Sequence, residues 1–278
     1  MQGTRGRHGG ALGRIAAAAL LCGAGIAVVD GAAGAQADRT TGRTAAATDS
    51  VPIPHRVHVR SGPLSRGRSK LAELDTAPFP YNGLVPRTNR PFLDVVENGR
   101  RGHRTGAGRV YWEDETYSDR QVLLHLPKGF DIRRPSLLIV FFHGHGAKLA
   151  DDVYLRQQVP SQISSSGINA ALVAPQLAFN AADSSAGKFW EPGAFARFLG
   201  EAAQHLARLH GDPRSVRSFA SMPVVIVAYS GGYVATAWSV HHGGLGKRLQ
   251  GVVLFDALYG ELDTFADWVT RQDSAFFV

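Results

Sequence analysis

Pro223-Val224-Val225-Ile226-Val227-Ala228-Tyr229-Ser230-Gly231-Gly232 is the stretch that decides the reading of this chain. Val224 to Val227 are all β-branched and apolar, the composition of a strand covered on both faces, as in parallel sheets. Tyr233 to Val240 follow at helical spacing. To pass from strand to helix in so few residues, the backbone must take a strained conformation at Ser230, and that is open only if the residues two before and two after are small. Ala228 and Gly232 are small. A serine held in this way stands clear of the sheet at a helix N-terminus, where unpaired N–H groups stabilise a developing negative charge.

The pattern resembles the G-x-S-x-G nucleophile elbow of the α/β-hydrolase superfamily, with Ala228 in place of the first glycine. A plain strand-to-helix turn is the competing reading, and a second segment weighs against it. Leu137-Leu138-Ile139-Val140-Phe141-Phe142-His143-Gly144-His145-Gly146-Ala147 is again a buried strand ending in glycines, similar to the HGGG-type oxyanion loop of lipases and esterases. The resemblance implies that Ser230 is the nucleophile. It also implies an oxyanion hole made by the backbone N–H of His145 or Gly146 together with that of Gly231. Gly144 and Gly146 meet the need for close backbone approach. His143 and Tyr229 are expected to line the substrate pocket. For His143 and His145 a structural role, capping the strand and bonding their own loop, competes with proton transfer. A zinc site on the His-x-His pair lacks a nearby Cys or HExxH partner, so no metal and no cofactor is expected.

Further segments set the architecture. Ala170–Ala174 and Gly251–Phe255 read as buried strands. Between the strands lie helical stretches: the first part of Asp151–Ser166, a helix with Phe195, Phe198, Leu199, Ala202, Leu206 and Leu209 on one face, and the helix after Ser230. This alternation implies an α/β fold with a doubly wound, mostly parallel sheet of the α/β-hydrolase type over residues 109–278. Ligands of such sheets bind beyond the carboxyl ends of the strands. There the HGHGA loop, the Pro175–Trp190 loop, Ser230 and Asp256 gather on one rim. Arg109–Trp112 is expected to open the sheet and to pair antiparallel with Gln121–Pro127. Residues 76–108, punctuated by Pro78, Pro80, Pro86 and Pro91, are expected to be an irregular segment packed on the domain.

The base is the difficulty. The resemblance implies the chain order nucleophile, acid, histidine. His241 stands eleven residues beyond Ser230, roughly 16 Å away along a helix. His205 and His210 fall toward the far end of the preceding helix, His125 falls in an early strand, and no histidine follows Asp256. Asp256 is the candidate acid, with a helix N-cap or a rim carboxylate as alternatives. Asp183 and Glu191 line the pocket or cap the helix near Pro192. The final run Ser274–Val278 reads as the opening of one more strand. The expectation is therefore a sheet incomplete at its C-terminal edge, the catalytic histidine missing from a truncated chain, so that this chain would be inactive as it stands. A domain that has abandoned the triad is the other reading.

Composition sets the surroundings. Arg5, Arg7 and Arg14 precede the apolar stretch Ile15–Val29 and small-residue sites near Ala35, which reads as a secretory leader over residues 1–35 and implies a secreted or periplasmic, cell-envelope protein. Cys22, the only cysteine, lies within it, so the mature chain would fold without disulfides. The formal charge is +7, and between Arg39 and Lys70 seven Arg or Lys face the single acid Asp49. Residues 36–75 are expected to be a basic disordered linker. It is either a solvated tether or a weak contact for anionic envelope polymers. Nucleic-acid binding is not expected, because basic and aromatic residues are not interleaved. The function implied is an exported serine hydrolase acting on an ester, or an amide, of a small molecule or of the envelope. The alternatives are a non-catalytic exported binding domain on the same fold and an envelope acyltransferase.

Overall fold

The computed structural model describes residues 67–278. The leader and residues 36–66 of the expected linker lie outside the described residues. Seven strands form the main sheet: β1 (Arg68–Glu73), β7 (Gln121–Leu126), β8 (Leu137–Phe142), β9 (Ala170–Pro175), β10 (Val224–Tyr229), β11 (Leu249–Phe255) and β12 (Phe276–Phe277). Their spatial order is β1-β7-β9-β8-β10-β11-β12. Strands β9, β8, β10, β11 and β12 run parallel to one another, and β7 is antiparallel to both of its neighbours. The fold is thus of the expected α/β class, built on a mostly parallel sheet.

Alternation along each central strand divides the core between the two faces. Leu138, Val140 and Phe142 of β8 and Val224, Ile226 and Ala228 of β10 point to one face. There they meet Phe195, Phe198, Leu199, Ala202 and Leu206 of the long helix Ala194–His210. Ile139 and Phe141 of β8 and Val225 and Val227 of β10 point to the other, under Leu149 and Val153 of a π-helical segment, Leu149–Arg156, and Ile163 of the helix Val159–Ser165. Both faces are covered, and this is why these strands are continuous apolar runs.

Two boundaries differ from expectation. The antiparallel partners of β7 are β9 and Arg68–Glu73, the latter assigned by the sequence to the linker. Only Ala72 of that strand is buried. It is an edge strand held by main-chain hydrogen bonds to β7, and its exposed Arg68, Lys70 and Glu73 are typical of an edge facing water. The second difference concerns Val110–Trp112 (β6). It does not open the main sheet but closes a separate antiparallel sheet with Val95–Glu97 (β4) and Arg100–Arg104 (β5). Together with a two-strand hairpin, Leu84–Val85 (β2) and Arg90–Pro91 (β3), this gives residues 76–108 more regular structure than expected. They do lie against the domain. Phe79, Tyr81 and Phe92 are buried in one aromatic cluster with Tyr117 and Trp190.

Glu201 of the long helix fixes the chain as it leaves β1. Its carboxylate accepts from the Asp75 amide at 3.0 Å, the Thr76 amide at 2.8 Å and the Thr76 hydroxyl. Partial burial raises its pKa, but the bonds from Thr76 and Asp75 outweigh that and leave it lowered. A carboxylate with a depressed folded-state pKa stabilises the fold above its unfolded value of 4.5 and loses that contribution as pH falls through the folded value. Glu201→Gln is therefore expected to lower stability by about 1 kcal/mol at pH 7. In urea unfolding followed across pH, the gap between the two proteins should close as the pH falls below 4.5.

Candidate functional site

Strand β10 ends at Tyr229, and one 3-10 turn, Ser230–Gly232, leads directly into the helix Tyr233–His242. Ser230 has φ +48°, in the left-handed region that a serine seldom enters. The packing that enforces this is visible on both sides. Ala228 is fully buried, and a Cβ at Gly232 would fall 2.6 Å from the Phe142 carbonyl oxygen of β8. Only glycine lets the helix start so close to the neighbouring strand. Ser230 is half-buried, and among the described residues its hydroxyl makes no hydrogen bond.

The loop after β8 closes over this turn. A Cβ at Gly144 would lie 2.9 Å from the Ser230 Cβ and 3.2 Å from the Tyr229 carbonyl oxygen, so a bare backbone is needed at that position. His143 anchors the loop from below. Its Nε2 accepts hydrogen bonds from the Leu177 amide and the Gln176 side-chain nitrogen, each at 2.9 Å. An amide N–H can only donate, so the ring proton sits on Nδ1, which donates to the Gly144 carbonyl at 2.8 Å. Fully buried Gln176 also accepts from the Leu149 amide and donates to the Ala147 carbonyl, tying the loop to the π-helical segment. His143, expected to contact substrate, is instead a buried structural residue with both nitrogens engaged.

The amides expected to hold an oxyanion separate into two kinds. The Gly146 N–H donates to the Ala181 carbonyl at 2.8 Å, so it is not free for a substrate, and that expectation is corrected. Gly146 has φ +70°, and this turn aims its amide at the loop after β9. The His145 amide donates to nothing among the described residues, and Gly231 lies in the first turn before the helix, where N–H groups lack helical partners. The His145 side chain is exposed and bends back over the turn: a Cβ on Gly231 would collide with its Cδ2, and its Nε2 is 2.7 Å from the Ser184 hydroxyl oxygen. Ser184 was visible in the sequence only as part of a polar loop, and no local pattern singles it out.

Asp256 ends β11 as Ser230 ends β10. Tyr229 pairs with Phe255, so the two residues sit side by side on the rim, and Asp256 is also left-handed, with φ +44°. It is exposed and caps no helix: the next helix, Leu262–Thr270, begins after Glu261. Its carboxylate faces the Tyr259 phenol, whose pKa it raises by hydrogen bonding and charge. No imidazole is paired with it among the described residues. Tyr229 and Tyr233 are half-buried at the rim, whereas Phe189 and Trp190 are core residues set edge-to-face against Phe195 and Tyr81.

The other histidines stand away from Ser230. His125 is buried between the Ser69 and Ser164 hydroxyls, each at 2.8 Å, and burial pushes its pKa down to about 4. His205 and His210 are on the long helix, and His241 and His242 flank Trp238 at the far end of the helix after Ser230. Asp183 accepts from the buried Tyr117 hydroxyl at 2.9 Å. Glu191 follows a 3-10 turn and accepts from Arg197. Among the described residues no three His, Cys, Asp or Glu side chains converge as metal ligands. A cavity of about 510 Å³, lined by Ile132, Arg134, Leu137, Met222 and Gln250, opens at the N-terminal ends of the strands, on the rim opposite Ser230.

No protein-family model matches the chain, and no curated protein matches it in sequence. Among solved structures, Thermogutta terrifontis esterase 2 phosphonylated by cyclosarin is similar at 15% identity and a TM-score of 0.31, the match covering 49% of this chain and 51% of the esterase. The feruloyl esterase module from Clostridium thermocellum matches at 13% identity and a TM-score of 0.39, over 72% of this chain and 73% of the module. A lipase in its open form matches at 16% identity and a TM-score of 0.27, over 55% and 42%. The chain thus spans about half the length of the first of these esterases.

Burial lowers the pKa of His143 to about 4, against an ordinary 6.5, so the unfolded chain binds the extra proton between these values. Stability is then expected to fall as the pH drops from 6.5 toward 4, with His143 contributing up to ~3 kcal/mol and His125 acting in the same direction. His143→Gln should lower stability at pH 7 and flatten this part of the pH profile. Urea midpoints at several pH values read both effects, and an unchanged profile in the variant would count against the neutral, doubly bonded imidazole.

Proposed function

We propose that this protein is a serine hydrolase of carboxylic esters, with Ser230 as nucleophile on a strand-to-helix elbow. The observation that carries the reading is the left-handed Ser230, pressed against a glycine-lined loop by the contact with Gly144. Strain of this kind persists only where surrounding packing enforces it, and it leaves a hydroxyl without a protein partner on the ligand-binding rim.

In this reading Ser230 Oγ attacks the carbonyl carbon and the carbonyl electron pair moves to oxygen. The resulting oxyanion is held by the His145 and Gly231 amides. Collapse expels the alcohol, which takes up a proton, and water then attacks the acyl-enzyme, releasing the acid and restoring the serine hydroxyl. The proton of Ser230 must pass to a base, and none of the histidines among the described residues is hydrogen-bonded to that hydroxyl. In this reading the base is a histidine from outside them, as the resemblance implies. Leu258, Tyr259 and Leu262, each more than half exposed, stand just beyond Asp256 and support an ester with an apolar group. The leader-like N-terminus favours an exported enzyme acting on a small or envelope-derived ester, and the basic segment after it a weak contact with anionic envelope polymers.

A fluorophosphonate probe tests the reading. The wild-type chain is expected to form a covalent adduct slowly, Ser230→Ala to form none, and added imidazole to accelerate the wild type ~10-fold or more by standing in for the base. Peptide mapping that finds no adduct at Ser230 in folded protein, with or without imidazole, would favour a non-catalytic binding domain.

A further inference from the structure

The loop after β8 was expected to give the oxyanion hole one amide, from His145 or Gly146; the His145 amide is free and the Gly146 amide is not, and a side-chain donor stands close by. His145 Nε2 and Ser184 Oγ lie 2.7 Å and 3.1 Å from the point where a Cβ on Gly231 would stand, and 2.7 Å from each other. They therefore stand over Gly231, whose N–H the proposed mechanism gives to the oxyanion. We infer that the Ser184 hydroxyl, polarised by His145, is a third, side-chain donor to the oxyanion formed at Ser230, beside the His145 and Gly231 amides. This rests on the hydrolase reading above and adds a residue to it.

Three features support the assignment. Ser184 is held in place from both sides. Asp183 Oδ2 accepts from the Tyr117 hydroxyl at 2.9 Å and its Oδ1 accepts from the Ser185 hydroxyl at 3.1 Å, while the Ala182 amide donates to the Tyr111 hydroxyl at 3.0 Å. Tyr117 is fully buried, and burial followed by the charge of Asp183 raises its pKa far above the ordinary phenol value, so it remains a donor. The second feature is the proton inventory. With the ring proton on Nε2, His145 donates to Ser184 Oγ, and the serine's own proton is left to point at the oxyanion. Each bond in such a chain strengthens the next, and no proton has to be transferred. The third is spatial. The Gly146 amide is spent on the Ala181 carbonyl, in the same loop as Ser184, so the contact that removes one donor brings the other alongside.

The test uses the full chain, with imidazole at one fixed concentration. It reads the rate of fluorophosphonate adduct formation and, with p-nitrophenyl acetate, kcat and KM separately. Ser184→Ala is expected to lower the adduct rate and kcat ~10- to 100-fold with KM unchanged, as for loss of a donor that acts only in the transition state. Ser184→Thr, which keeps the hydroxyl, should recover most of the rate. His145→Gln, whose amide can still donate to Ser184, should fall less than His145→Ala. If Ser184→Ala does not fold, the two His145 variants provide the same comparison. Equal rates in wild type, Ser184→Ala and His145→Ala, or a rise in KM alone, overturn this inference and leave Ser230 as nucleophile. No adduct at Ser230 in the wild type overturns the hydrolase reading and this inference with it.

Discussion

The contact between Gly144 and Ser230 is the constraint on which the site depends. Two adjacent parallel strands, β8 and β10, end at the same rim, and the backbone that leaves each one must turn in the space of a few ångströms. Gly232 lets the helix after Ser230 start against the Phe142 carbonyl, and Gly144 lets the β8 loop cross the turn without a side chain between them. With those two glycines the serine is driven to φ +48°. Any larger residue at either place would have to displace main chain, which neither strand can yield without breaking its ladder.

The loop that meets the turn is held by polar groups that have no access to water. His143 and Gln176 together join the β8 loop, the π-helical segment and the chain after β9. Each bond is between partners that burial would otherwise leave unsatisfied, so the network keeps one arrangement. The two histidines of one short motif thus do different work. His143 is buried, neutral and fully bonded, while His145, two residues on, is exposed and free to meet a ligand beside Ser184.

Much of this was legible in the chain because the central strands are buried on both faces. Leu137–Phe142, Ala170–Ala174 and Val224–Val227 are apolar without interruption, and the small residues flanking Ser230 announce the turn. Edge strands carry no such mark. Arg68–Glu73 buries a single alanine and is held by its main chain, so its composition reads as linker. Val110-Tyr111-Trp112 shows the opposite error: its side chains suit a strand, yet nothing in them says which sheet receives it. Phe189 and Trp190 were readable as aromatic, with pocket and core both open, and the core place was decided by packing against residues as far off as Phe79 and Phe92.

By itself the sequence determined the α/β class, the rim on which the loops converge and the strained turn at Ser230, because each follows from local patterns of apolar, small and glycine residues. Tertiary structure alone decided that the Gly146 amide is spent, that His143 is buried, that Asp256 faces Tyr259 and that Ser184 stands over Gly231. Apart from the pairing of Asp256 with Tyr259, which lies within one loop, those are hydrogen bonds and contacts between loops far apart along the chain. Their partners are chosen by how the strands are ordered in the sheet, and no local pattern encodes that order.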